Sequence, residues 1–164
     1  MKTLTLDSLF DAFAAALAES DALQVLAKET QAGAPFRVFQ GFDYAAEKNA
    51  TATPSIIMLP QSDEEQSDFS RDLSILMELR IRSNAAKPDT VNPAIIKHAA
   101  PGIAMRWADA ICAALNQRVK NTDAKLLRIS VQYDFQTLAQ DNLVTVSFVA
   151  TVPLKKKFSG GYAI

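Results

Sequence analysis

Three stretches of this chain alternate polar and apolar side chains residue by residue, and that period of two constrains the fold more than any other feature. In the first, Leu73, Ile75, Met77, Leu79 and Ile81 point one way. Asp72, Ser74, Glu78, Arg80 and Arg82 point the other, with Leu76 as the exception. In the second, Leu127, Ile129, Val131, Tyr133 and Phe135 oppose Arg128, Ser130, Gln132, Asp134 and Gln136. In the third, Val144, Val146, Phe148, Ala150 and Val152 oppose Thr145, Ser147, Val149 and Thr151. Successive side chains of a strand leave opposite faces, so alternation of this length predicts strands with one face buried. The link Leu138-Ala139-Gln140-Asp141-Asn142 is short and bears Asp and Asn, which predicts an antiparallel hairpin from the second and third stretches.

The remaining apolar residues supply a cover for that sheet. Leu6, Leu9, Phe10, Phe13 and Leu17 recur at three- and four-residue steps, predicting a helical region over Leu6 to Thr30. Thr5 is its expected N-cap, and Asp7 sits near the positive helix end. Ser20-Asp21 is read as the start of a second short helix carrying Leu23, Val25 and Leu26, with Gly33 and Pro35 closing the region. Phe36 to Phe39 reads as a short strand. Pro54 to Pro60 is a continuous apolar run bounded by prolines, the signature of a strand covered on both faces. The polar stretch Gln61 to Ser70 is expected to be a loop, and Ser83 to Val91 an irregular connection. Asn92 as cap and Pro93 at the first helical position then open a helical region. Pro101-Gly102 is expected to divide it into a short helix and a longer one from Ile103 to Val119, striped by Ile103, Trp107, Ile111, Ala114 and Leu115. Helices must bury their stripes on the apolar face of the sheet. The expected fold is therefore α+β, a mixed, mainly antiparallel sheet packed against helices in a two-layer sandwich. One domain spans residues 1–154, and Lys155 to Ile164 is expected to be a flexible or partner-ordered tail.

Composition bounds the chemistry. The chain has 164 residues, enough for one domain, and its 17 basic and 18 acidic residues leave a formal net charge of −1. Such a balance exerts no global pull on nucleic acid or anionic membrane. No run of about 20 apolar residues marks a membrane span, and Asp7 and Asp11 spoil the only signal-peptide-like start, so the expectation is an intracellular, soluble protein. Asn49-Ala50-Thr51 fits a glycosylation sequon that would matter only in a secreted chain.

A single cysteine, Cys112, precludes an internal disulfide, and a single histidine, His98, precludes a site needing two. One of each cannot furnish a conventional zinc site. Cys112 reads as a small core residue, His98 as a surface one and Trp107 as core. Asp63, Glu64, Glu65 and Asp68 crowd one polar stretch without the glycine and ligand spacing of a calcium loop. There is no phosphate-binding glycine loop, dinucleotide fingerprint or nucleophile elbow. The expectation is a protein that is not an enzyme, with no metal and no cofactor. The polar face of the sheet, mixing both charge signs around Leu76 and Val149, fits either a solvent-facing sheet or a subunit contact with a polar surround and apolar anchors, and the second is the expectation. The candidate partner-contact residues are Arg80, Arg82 and Arg128 on that face, Asp63, Glu64 and Glu65 in the acidic loop, and Lys155, Lys156 and Lys157 in the basic tail.

The order of elements carries a resemblance. An N-terminal helix leads to "TPSIIMLPQSDEE" and the strand "DLSILMELRIRS". The helix "IAMRWADAICAALNQR" and the hairpin "LLRISVQYDF" and "NLVTVSFVATVPL" follow. Over roughly residues 4 to 154 this resembles the tail-terminator, or tail-completion, proteins of tailed bacteriophages and prophages. The resemblance is an arrangement of elements with no signature motif, so no individual residue role is carried across. It implies a homo-oligomeric ring, commonly a hexamer, that caps the tail tube, stops its polymerisation and offers the head-joining surface. It also implies the major tail-tube protein and neck or connector proteins as partners, in a virion assembled in a bacterial cytoplasm. A head–tail joining protein of a phage is the nearest alternative within that class. A small-molecule-binding α+β domain and a nucleic-acid-binding module are the competing readings outside it.

Overall fold

A computed structural model describes residues 4–30, 34–41, 54–67, 70–82, 89–92, 95–97, 99–120, 126–134, 143–156 and 162–163. Two helices come first, α1 (Leu6–Ala18) and α2 (Asp21–Thr30). Strands β1 (Arg37–Gln40), β2 (Ser55–Ser67) and β3 (Ser70–Arg82) follow. A small ribbon, β4 (Asp89–Asn92) and β5 (Ile95–Lys97), precedes helix α3 (Ala99–Lys120). The chain ends with β6 (Arg128–Asp134), β7 (Leu143–Lys156) and β8 (Tyr162–Ala163). The main sheet has the order β1-β2-β3-β7-β6, with β8 also paired to β7. Among the described strands of this sheet only β1 and β2 run parallel; β2–β3, β3–β7, β6–β7 and β7–β8 are antiparallel. This is the α+β fold expected, a mixed and mostly antiparallel sheet with helices packed on it.

The core lies where the alternation places it. Leu73, Ile75, Met77, Leu79 and Ile81 of β3 are buried, as are Val144, Val146, Phe148, Ala150, Val152 and Leu154 of β7. Leu9, Phe13 and Leu17 of α1 and Ala104, Trp107, Ile111 and Leu115 of α3 close over them. A fully buried side chain of this size contributes about 1.5–3 kcal/mol relative to its exposed state, so this single layer of contacts dominates stability. Thr5 caps α1 as expected. Its hydroxyl accepts from the Ser8 backbone N–H at 3.2 Å while Ser8 Oγ accepts from the Thr5 N–H at 2.9 Å. Gly41 ends β1 at φ 93°, a conformation glycine adopts freely, and its N–H donates to the Met58 carbonyl at 2.9 Å.

Three local expectations are corrected. The stretch Gln61 to Ser70 is not a loop: β2 continues through it to Ser67 and β3 begins at Ser70. Pro60 does not end β2, because the register shifts between Pro60 and Ser62 and the bulge there tolerates a residue without an N–H. The region from Asn92 is not a divided helix either. Asn92 ends β4 opposite Ile95 of β5, and α3 then runs unbroken from Ala99. Pro101 falls in the first turn, where a backbone N–H has no intrahelical acceptor, so its ring breaks nothing. The irregular connection expected over Ser83 to Val91 includes the start of β4 at Asp89. The proposed turn Leu138 to Asn142, and Asn49 to Thr51, lie outside the described residues.

Two sets of polar contacts fix α2, one to the residue before β1 and one to α3. Gln24 of α2 treats Phe36 as a strand neighbour would. Its Oε1 accepts from the Phe36 N–H at 3.3 Å and its Nε2 donates to the Phe36 carbonyl at 3.5 Å. Phe36 then tilts against Trp107, with ring centroids 5.2 Å apart. The indole Nε1–H of fully buried Trp107 donates to Thr30 Oγ1 at 3.1 Å, and that hydroxyl donates to the Leu26 carbonyl at 2.7 Å. Replacing Thr30 by Val keeps the shape but strands the buried indole donor, at an expected cost of about 1–3 kcal/mol. Thr30→Ser, which keeps the acceptor, should lose less. Urea unfolding of both variants checks this, and equal stability of Thr30→Val and the parent chain would contradict it.

Candidate functional site

The sheet has one face under helices and one without a described helix on it, and the second face carries the candidate residues. Direct cross-strand partners share a face, so the ladder can be read in rows. Leu59, Leu76 and Val149 form one apolar row across β2, β3 and β7. Next to it Ile57 lies opposite Glu78, and Ile57 is only 7% exposed. A shallow depression there is lined by Ile57, Leu59, Leu76, Glu78, Arg80 and Ser147. Arg80 Nε donates to Glu78 Oε1 at 2.6 Å along the same strand face. Arg82, exposed, ends β3 opposite Leu143.

The other end of the face is the arm made by the distal halves of β2 and β3. The Pro60/Ser62 bulge reverses which residues face which way. Beyond it Ser62 and Glu64 share the open face with Ser74 and Asp72, while Asp63 and Glu65 share the core-side face with Leu73 and Arg71. Asp63 makes a bidentate pair with Arg71, whose Nε and Nη2 each donate to one carboxylate oxygen. That hydrogen bonding, helped by the guanidinium charge against a small desolvation, holds the Asp63 carboxyl below its ordinary value. Glu64 lies directly opposite Asp72, a like-charge pair that destabilises a ladder. Arg128 of β6 offsets it, with Nη2 donating to Asp72 Oδ2 at 3.0 Å. Glu64 Oε2 accepts from Gln66 Nε2 at 3.4 Å. Buried Ser74 and half-buried Thr151 meet hydroxyl to hydroxyl at 2.9 Å in the floor between them. An open trough of about 380 Å3 runs over this floor, bordered by Ser62, Glu64, Asp72, Arg128 and Thr151.

The candidate residues therefore fall into two groups. Asp63, Glu64, Glu65, Arg128 and Lys155 gather at the arm end of the sheet, with Lys155 opposite Ser70. Arg80 and Arg82 lie at the other end, eight and ten residues along β3 from Asp72, or about 26 and 33 Å at the strand rise. Lys156 is the last residue of β7, where Tyr162 pairs with it, so Lys155 and Lys156 belong to the sheet and the chain returns to it at β8. Lys157, Asp68 and His98 lie outside the described residues. The sequence reading missed Arg71 and Asp72 as charge partners. No spacing rule finds them, because their roles depend on the register that sets Glu64 against Asp72.

Cys112 sits half-buried on α3, and its thiol is pushed up by burial and then by the nearby Asp109 carboxylate. A raised thiol has little thiolate at neutral pH and is a poor nucleophile. Burial, the Asp109 carboxylate and Cys112 together raise the phenol of Tyr133. Among the described residues no three His, Cys, Asp or Glu side chains gather as a metal site, and no helix is long and apolar enough to cross a membrane.

Two predictions follow from these charges. A carboxyl with a lowered folded-state value adds stability that is complete above its ordinary value of 3.8 and is lost as pH falls below it toward the lowered one. Asp63→Asn should therefore be slightly less stable than the parent chain at neutral pH, by about 0–1 kcal/mol for so exposed a pair, with the gap closing in acid. Thermal unfolding across pH measures it, and a gap that widens in acid would contradict the pairing. Separately, Cys112 should react with a disulfide reagent at pH 7.5 more slowly than free cysteine in the same buffer. Faster labelling would overturn the environment described. Compared with protein-family models and with curated proteins, the chain matches none.

Proposed function

We propose that this chain is a non-catalytic structural subunit of a tailed-phage or prophage particle, of the tail-terminator kind. In this reading copies form a ring that caps the tail tube, ends its polymerisation and presents the surface to which the head is joined. Its partners are further copies of itself, the major tail-tube protein and neck or connector proteins. Assembly takes place in the bacterial cytoplasm, and the finished ring belongs to the virion.

The observation that supports this most is the division of labour in the sheet. One face holds the core under α1 and α3, while the other combines the apolar row Leu59, Leu76 and Val149 with charges of both signs at each end. An apolar centre within a polar surround is how subunit contacts are built. The order of elements, from the N-terminal helices through the β2–β3 pair to α3 and the β6–β7 pair, keeps the arrangement on which the resemblance rests.

The test is direct. Purified chain is added to growing tubes of the tail-tube protein encoded beside it, and tube length and tube ends are imaged by negative-stain electron microscopy. The expected result is a ring on one end of each tube and an arrest of elongation. Tubes that keep growing with bare ends in a molar excess of the chain would contradict the proposal.

A further inference from the structure

The two long edges of the sheet differ in charge at the same end. β1 pairs with β2 only from Ser55 to Met58, so from Leu59 onward β2 is the edge, and that stretch carries Asp63, Glu64 and Glu65, all exposed. On the opposite side Arg128 opens β6 with 61% of its side chain exposed, and Lys155, also exposed, lies at the same end of the sheet on β7, where β8 pairs along its outer side. Among the described residues no strand pairs with the outer side of β2 beyond Met58 or with the outer side of β6.

The apolar covering of the β6 edge is also incomplete. Its core-side residues Leu127, Ile129 and Val131 are only partly buried, Tyr133 is 38% exposed and Leu126 just before the strand is 56% exposed. The corresponding residues of β3 and β7 are buried. An open edge strand with half-covered apolar side chains is a template for another strand.

Strand direction decides what fits. β2 runs antiparallel to β3, β3 to β7 and β7 to β6, so β2 and β6 run in opposite directions. Two copies placed side by side in the same orientation would therefore bring the start of β6 in one, Arg128 to Ser130, level with the uncovered stretch of β2 from Leu59 to Ser62 in the next, as an antiparallel pair. That placement also sets the basic edge of one copy beside the acidic edge of the other. An edge meeting its own kind across a two-fold axis would set like charges together at the arm.

We infer that copies of this chain join head to tail along their sheet edges, the acidic β2 edge of one against the open β6 edge of the next, with the basic residues Arg128 and Lys155 at its arm end. This deepens the assembly reading above, on which it rests, by naming the two surfaces of the contact. A head-to-tail contact has unlike halves, so it closes into a ring when the rotation per copy divides the circle and otherwise continues as a filament.

The test uses two charge-reversed forms of the full chain, Glu64→Lys with Glu65→Lys, and Lys155→Glu. Arg128 is left in place because it holds Asp72. Each form alone should associate about tenfold or more weakly than the parent in sedimentation velocity, since like charges then face each other. Mixed at equal ratio, the two should recover association, because each supplies the charge the other has lost. That recovery separates a lost contact from a misfolded variant. Association that is unchanged or increased by either reversal would overturn the inference, the latter showing that the acidic edge merely repels other strands. Failure of the mixture to recover would overturn it as well, as would a parent chain that stays monomeric at millimolar concentration. Tube capping by either reversed form with its association intact would leave the tail-terminator reading standing while removing these edges from it. Edge-dependent association without capping would do the reverse.

Discussion

The ladder between β3 and β7 is the constraint on which the rest of the molecule depends. It is continuous from Ser70 opposite Lys155 to Arg82 opposite Leu143, without a register shift. Because the side-chain period of a strand is two, one uninterrupted register assigns every residue of both strands to a face. A slip by one residue would turn Leu73 to Ile81 outward and bring Asp72, Glu78 and Arg80 beneath α1 and α3. The cost of burying unpaired charge makes that state inaccessible. The helices, the short strand β1 and the edge strand β6 are all placed relative to this central pair.

How much of this was legible in the amino-acid order follows from what each residue touches. β3 and β7 could be read because one of their faces is buried along nearly the whole length, and alternation is a direct image of that asymmetry. β6 shows the same alternation, yet Tyr133 and its neighbours are only partly covered, since an edge strand has one flanking strand and lies near the margin of the helical layer. The distal arm was not legible. Gln61 to Gln66 have solvent near both faces, so no apolar residue marks the period, and the bulge after Pro60 reverses its phase. The continuity of α3 was missed for a related reason. Proline signals a break only where an N–H is needed, and at Pro101 in the first turn none is.

The charged surface divides along the same line. That Asp63, Glu64, Glu65, Arg128 and Lys155 were exposed and polar was readable from composition and alternation. That they collect at one end of the sheet, with the acidic residues on one edge and the basic ones toward the other, is a property of register and strand order. Arg80 and Arg82, read as members of the same surface, stand at the far end of β3 and belong with Glu78 and Leu143 instead. The proposed assembly role draws on this polarity. A subunit with unlike edges and a helix-covered back can add a neighbour on each side without disturbing its own core.

Hydrogen–deuterium exchange at low and high protein concentration tests the central claim most directly, because it reads backbone pairing at each edge separately. The account predicts that raising the concentration slows exchange in the β2 segment from Leu59 to Gln66 and in β6 together, with the β3–β7 amides slow throughout. Protection that appears instead on the exposed surfaces of α2 and α3, with both sheet edges exchanging as in the dilute protein, would contradict it.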